Sequence, residues 1–112
     1  MNMYKVEVLY YAWNDLRDIG RYISKDNPAA ANRIRKKLIA SLERLKTFPL
    51  SAPLIHDAEL SREGYRTLRC GKYLCVYRVV DKTAFVYRFV HSARDYSATY
   101  DFLNSMEYTK ER

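Results

Sequence analysis

The sequence predicts an α+β domain: an N-terminal strand, an antiparallel two-helix hairpin, a three-strand antiparallel meander packed on the helices, then a short terminal helix or tail. Two periodicities and one dipeptide predict it. Apolar side chains alternate in steps of two near the N-terminus and again over residues 65–90, and fall in steps of three and four between Ala12 and Leu45. Asn27-Pro28 divides that helical stretch, because asparagine caps a helix and proline at its first position has no N–H to leave unpaired.

Tyr4, Val6, Val8 and Tyr10 alternate with Met3, Lys5, Glu7 and Leu9, which predicts an opening strand with one buried face. Ala12, Leu16, Ile19 and Ile23 then form a helical stripe, with Asp15, Arg17, Asp18 and Arg21 on the other faces. Trp13 lies just off this stripe, placed to close the helix onto a neighbour. Ala31, Ile34, Leu38, Leu42 and Leu45 continue the helical spacing until Phe48-Pro49 ends it, and Arg33, Arg35, Lys36 and Lys37 point away from the stripe. That basic run either keeps the face solvated or meets nucleic acid.

Periodicity fails over residues 51–62, which predicts a loop containing a solvated His56. Strands are predicted at 65–70, 73–80 and 84–90, with Asp81-Lys82-Thr83 as a turn. Arg78 is expected on an exposed position, and Arg66 and Arg69, three apart, on opposite faces of their strand.

The 112 residues, 48% hydrophobic and 29% charged, suffice for one domain spanning 1–112 and argue against two separate cores. Three glycines and three prolines contradict a collagen or linker composition. No apolar run reaches the ~20 residues of a membrane span, and the N-terminus lacks a signal-peptide layout, so a cytoplasmic protein without membrane partners is expected. Cys70 and Cys75 fit no zinc spacing and His56 and His91 are scattered, so neither a metal nor another cofactor is expected.

Net charge is +7, and residues 62–100 carry eight basic against three acidic side chains together with six of the eleven tyrosines. Such interleaving suits either single-stranded nucleic acid, whose phosphates meet the charges and whose bases meet the rings, or ordinary strands rich in tyrosine.

Taken in order, Ala12…Asp15-Leu16…Ile19…Tyr22-Ile23, Leu45…Phe48-Pro49, Gly64-Tyr65-Arg66…Leu68, Tyr73…Val76-Tyr77…Val79 and Arg88…His91…Arg94-Asp95 resemble the RelE/ParE superfamily of type II toxin–antitoxin toxins over nearly the whole chain. The resemblance implies a curved, mainly antiparallel sheet with the hairpin on one face, and a cognate antitoxin whose acidic and apolar segment covers the basic toxin. It also implies one of two activities. RelE-like members cleave messenger RNA on the ribosome, the activity expected first here, and ParE-like members poison DNA gyrase. An inactive homologue that retains only antitoxin binding is a third alternative.

For the nuclease, the resemblance places Arg94 and Tyr100 in the roles of a functional arginine six residues before a functional tyrosine, with His91 and Tyr96 as a YoeB-like pair. Cleavage by a 2′-hydroxyl needs a proton acceptor, cations over the phosphorane and a proton donor. His91 suits the proton transfers, Tyr96 and Tyr100 stacking or proton donation, and Arg94, Arg66, Arg69 and Arg88 the phosphate. Leu74 stands where the RelE-like middle-strand arginine is expected, and the hairpin ending is at least as ParE-like. If the gyrase activity holds, His91 and Arg94 are structural or target-binding residues. Arg88 alternatively pairs with an acid near the sheet end.

Overall fold

In the computed structural model, which describes residues 3–91 and 96–110, the elements follow the expected order with one addition. They are β1 (Lys5–Val8), α1 (Tyr10–Ser24), α2 (Pro28–Thr47), α3 (Ala58–Arg62), β2 (Tyr65–Cys70), β3 (Tyr73–Val80), β4 (Thr83–His91) and α4 (Tyr96–Lys110). Their sheet order is β1-β4-β3-β2. Neighbours in the meander are antiparallel, and β1 joins β4 in parallel with Lys5 opposite Thr83 and Val8 opposite Val86. A parallel neighbour needs a crossover, and the hairpin is part of it.

The opening strand is shorter than expected: it stops at Val8, and Tyr10 begins α1 instead of completing the alternation. Leu9 carries the chain between them, donating its N–H to the Val86 carbonyl at 3.0 Å. At the α1–α2 junction, the Asn27 side chain accepts the Ala30 N–H and Pro28 occupies the first turn, as expected from the dipeptide. The expected 51–62 loop contains α3, whose cap Asp57 accepts the Leu60 N–H at 2.9 Å. Leu54 makes an isolated bridge with Arg66, so this segment also covers part of the β2 edge.

The sheet is buried on both faces. On the hairpin side Leu16, Leu38, Leu42 and Leu45 pack with Tyr77, Cys75, Val86 and Phe89. Beneath α3 and α4, Leu60 and Leu103 pack with Tyr65, Leu74, Val76, Tyr87 and Val90. Double burial explains why β3 reads as a nearly continuous apolar run. The register between β3 and β4 shifts once: Val76 faces Arg88 while Tyr77 faces Val86, which leaves Tyr87 as an extra residue. This bulge restores Phe89 to the hairpin-side core and aims Tyr87 at the other.

The β2–β3 turn has Gly71 at φ +62°, in the region that penalises a Cβ. Gly20 serves a different purpose. The Arg35 guanidinium lies over it, with Nη2 only 2.5 Å from where a Cβ would stand, so one member of the basic run folds back onto α1.

Candidate functional site

The expected site residues lie on both faces of the sheet. β1 covers only the first half of β4, so the β4 edge beyond Val86 is left to α1. Asp15, one helical turn into α1, turns toward that edge. Its carboxylate accepts the Arg88 Nε at 2.6 Å and Nη2 at 2.9 Å, and also the Phe89 backbone N–H at 3.0 Å. The Arg88 guanidinium also lies 4.9 Å from the Phe102 ring of α4. Arg88, proposed from sequence for phosphate binding, thus joins the helix to the sheet.

Beside this pair opens a cleft of about 180 Å³ lined by Asp18 and Tyr22 of α1, Tyr73 of β3, and Arg88 and His91 of β4. His91 is half-buried and opposite Tyr73 in register, with the two rings edge-to-face at 5.5 Å. Tyr100 occupies the other face, where it packs on the α3/α4 core and donates its hydroxyl to the His56 carbonyl at 2.9 Å. His91 and Tyr100 are therefore not brought together. Arg94 lies outside the described residues, as does the side chain of Tyr96 at the start of α4.

Arg66 and Arg69 occupy opposite faces of an unbulged β2. Arg66 donates to the Ala52 carbonyl at 2.6 Å and the Leu50 carbonyl at 3.3 Å, tying the loop to the strand. Arg69 is exposed and reaches the Gly71 carbonyl at 3.2 Å. Arg78, expected to be exposed, is only 4% exposed: its guanidinium sits 4.7 Å from the Tyr65 ring and 3.6 Å from the Glu63 carboxylate. It lines an apolar cavity of about 640 Å³ with Tyr65, Tyr87, Phe102 and Met106.

The tyrosines of the C-terminal half give the clearest departure from expectation. Tyr65, Tyr73, Tyr77 and Tyr87 are all buried, so their rings build cores instead of offering faces to bases. Tyr77 donates to the Pro49 carbonyl at 2.6 Å, and burial pushes its hydroxyl pKa up. Burial likewise raises both thiols, most strongly Cys75, and keeps them protonated. Among the described residues, no group of three His, Cys, Asp or Glu side chains is placed to hold a metal ion.

Exposed aromatic surface is concentrated on α1. Tyr10 is 71% exposed, Tyr22 62% and Trp13 52%. Trp13, expected to close the helix onto a neighbour, instead forms one wall of an open groove with Ile39 of α2, flanked by Arg17, Arg21 and Arg35. Sequence reasoning missed this surface, although large aromatics off a helix's apolar stripe were its available signal. The hairpin is as basic as the C-terminal half: the segment 10–47 carries nine basic against four acidic side chains, net +5. Arg66, Arg78 and Arg88 of the C-terminal half are engaged internally.

Comparison with known proteins agrees with this architecture. Residues 6–96 match the family model for the ParE toxin of the type II toxin–antitoxin system parDE. A chain of the chromosomal ParDE toxin–antitoxin system from P. aeruginosa superposes with a TM-score of 0.66 at 18% identity, covering 81% of this chain and 98% of that one. A chain of the RelBE2 toxin–antitoxin complex from Mycobacterium tuberculosis gives 0.55 at 23% identity, covering 81% and 93%. No curated protein matches the sequence. Those two structures share the fold, and the family match over most of the length identifies the chain as a member of the ParE toxin family of type II toxin–antitoxin systems.

Proposed function

We propose that this toxin arrests growth by binding DNA gyrase, the target that the ParE-like resemblance implies, and that an antitoxin neutralises it by seating an acidic, apolar segment on the hairpin. The observation that carries this reading is the position of the aromatic rings. Four of the six tyrosines between residues 62 and 100 are buried in the sheet, and Tyr100 is half-buried on the α3/α4 core, whereas Tyr10 and Trp13 are exposed on α1, where Trp13 shares a groove with Arg17 and Arg21. Trp, Tyr and Arg are the residue types that dominate protein–protein hot spots. The groove between Trp13 and Ile39 offers an apolar anchor point with cations around its rim, which suits an amphipathic segment bearing carboxylates.

A second reading, ribosome-dependent cleavage of messenger RNA, draws on the cleft at the end of β4. There His91, Tyr73 and Tyr22 bring a proton-transfer group and two phenols beside the Arg88 guanidinium. In that reading His91 exchanges protons beside Arg88, and Arg94 and Tyr96 act from the segment that follows; Tyr100, on the other face of the sheet, takes no part, nor does Arg66, which the Leu50 and Ala52 carbonyls hold.

Two assays separate the readings. Purified toxin is added to a gyrase supercoiling reaction and, separately, to a translation reaction whose messenger RNA is mapped by primer extension. Loss of supercoiled product with intact messenger RNA is expected, and His91→Ala should inhibit gyrase as well as wild type. Codon-phased cuts that disappear in His91→Ala, with supercoiling untouched, would replace this reading by the nuclease.

A further inference from the structure

The outer face of α2 differs in chemistry from the groove beside it. Arg33, Lys37 and Arg44, at spacings of four and seven, share one face of the helix with Lys36 at its margin, away from the buried stripe of Ala31, Leu38, Leu42 and Leu45. All four are exposed, and among the described residues none of them makes an ion pair. The helix has a single acid, Glu43, which pairs with Lys46 at 3.1 Å. Ala40, between the cations on this face, and Thr47 beyond them are small or polar, so the ridge is cationic with no apolar anchor along its length before the exposed Phe48 at its C-terminal end.

We infer that this ridge is a docking surface for the phosphate backbone of double-stranded DNA. A protein partner would be expected to need a central apolar or aromatic anchor, and those anchors lie on the α1 side, at Trp13 and Ile39. A single strand would be expected to stack successive bases on several exposed rings, and the ridge has only Phe48, at its C-terminal end. A duplex requires only cations at fixed spacing on a rigid support. From Arg33 to Arg44 the helix extends about 16 Å at ~1.5 Å per residue. Over that length a duplex presents about ten backbone charges. The inference goes beyond the proposed target: gyrase itself holds duplex DNA, so a toxin seated on it by α1 would have α2 free to touch the DNA segment.

The test is fluorescence anisotropy of a labelled 25-base-pair duplex of arbitrary sequence with the full-length toxin, without gyrase, from 50 to 200 mM salt. Four phosphate contacts predict a slope of log K against log salt near about −3.6. The variant Arg33→Gln/Lys36→Gln/Lys37→Gln/Arg44→Gln should bind at least tenfold more weakly at 50 mM and lose about three units of slope. A charge-matched variant, Lys5→Gln/Arg62→Gln/Lys72→Gln/Lys82→Gln, should keep the slope within about one unit. Circular dichroism melting verifies that both variants fold.

Equal losses in the two variants would reduce the attraction to overall charge and overturn the ridge. Absence of duplex binding at 50 mM would do the same. Tighter binding of the single strand, or of a polyglutamate peptide of matched charge, would overturn the duplex as occupant and favour a different polyanion or an acidic protein. Because gyrase is absent, failure here leaves the gyrase proposal standing, and the supercoiling assay can fail without affecting the duplex measurement.

Discussion

Asp15 and Arg88 close the α1–β4 interface from positions 73 residues apart: one carboxylate accepts two guanidinium hydrogens and, in addition, the Phe89 N–H that a longer β1 would have taken. The geometry is bidentate, and the two side chains are 14% and 26% exposed. Removing the acid takes the bidentate acceptor from a largely buried cation and the side-chain acceptor from an edge amide. Asp15→Ala should therefore destabilise the domain by about 2–3 kcal/mol, less than a fully buried pair because of that residual exposure. Asp15→Asn, which still offers an oxygen to the amide, should lose less. Urea unfolding measures both, and a midpoint for Asp15→Ala equal to wild type would assign the pair no part in stability.

This pairing also marks the limit of what the sequence could disclose. The helices and meander were legible because their cores follow simple periods, and the Asn27-Pro28 cap and the turns carried local chemistry of their own. Asp15 was assigned to the polar faces of α1, although three residues after Ala12 it lies beside the apolar stripe. An acid there signals a buried partner, but only the sheet order reveals that the partner is Arg88. The bulge at Tyr87 was likewise invisible, since strict alternation across Val86 to Val90 gives the wrong face for Phe89. Composition misled most at the tyrosines, because aromatic residues in strands serve a doubly covered sheet as readily as a binding surface. The candidate site was less legible than the fold: His91 and Tyr100 are only nine residues apart yet sit on opposite sides of the sheet.

Tyr77 offers a more local test. Its hydroxyl donates to the Pro49 carbonyl at 2.6 Å, the residue that ends the hairpin, so one hydrogen bond fastens the exit of α2 to the centre of the sheet. Tyr77→Phe keeps the ring and leaves that carbonyl without this donor, which should cost about 1–2 kcal/mol in chemical denaturation. No change in midpoint would mean that solvent replaces the lost donor.

Gly20 sits in the interior of α1, where glycine is about 1 kcal/mol poorer than alanine in helix propensity. The atoms that an added methyl would meet belong to the end of the Arg35 side chain, which is flexible and on an exposed residue. Gly20→Ala should therefore raise the melting temperature by a few degrees, as the guanidinium swings aside. A lower melting temperature would show that Arg35 is held in place by more than packing over Gly20.

Trp13 distinguishes binding from stability. Half of its surface is already in solvent, so Trp13→Ala should change the melting temperature of the isolated toxin little. If the groove with Ile39 anchors an antitoxin segment, the same substitution should weaken that complex by about 30-fold or more, the scale of a hot spot worth ~2 kcal/mol. Calorimetric titration with the antitoxin measures it, and an unchanged affinity would move the antitoxin to another face.

Burial of Cys75 and Tyr77 makes stability depend on pH at the alkaline end. Both are kept neutral in the fold with raised pKa values, so as pH rises the unfolded chain gives up their protons first. Their contribution is complete below the ordinary thiol value of 9.0 and declines as pH climbs past it, with the phenol joining above its ordinary 10.0. Urea midpoints should therefore vary little from this pair between pH 7 and 8.5 and fall steadily from about pH 9 to 11. Cys75→Ala should start from lower stability, because it leaves a small cavity, but lose less of it over that interval. If wild type and Cys75→Ala decline in parallel, the alkaline loss arises elsewhere, and the buried thiol is not the group that the unfolded chain ionises first.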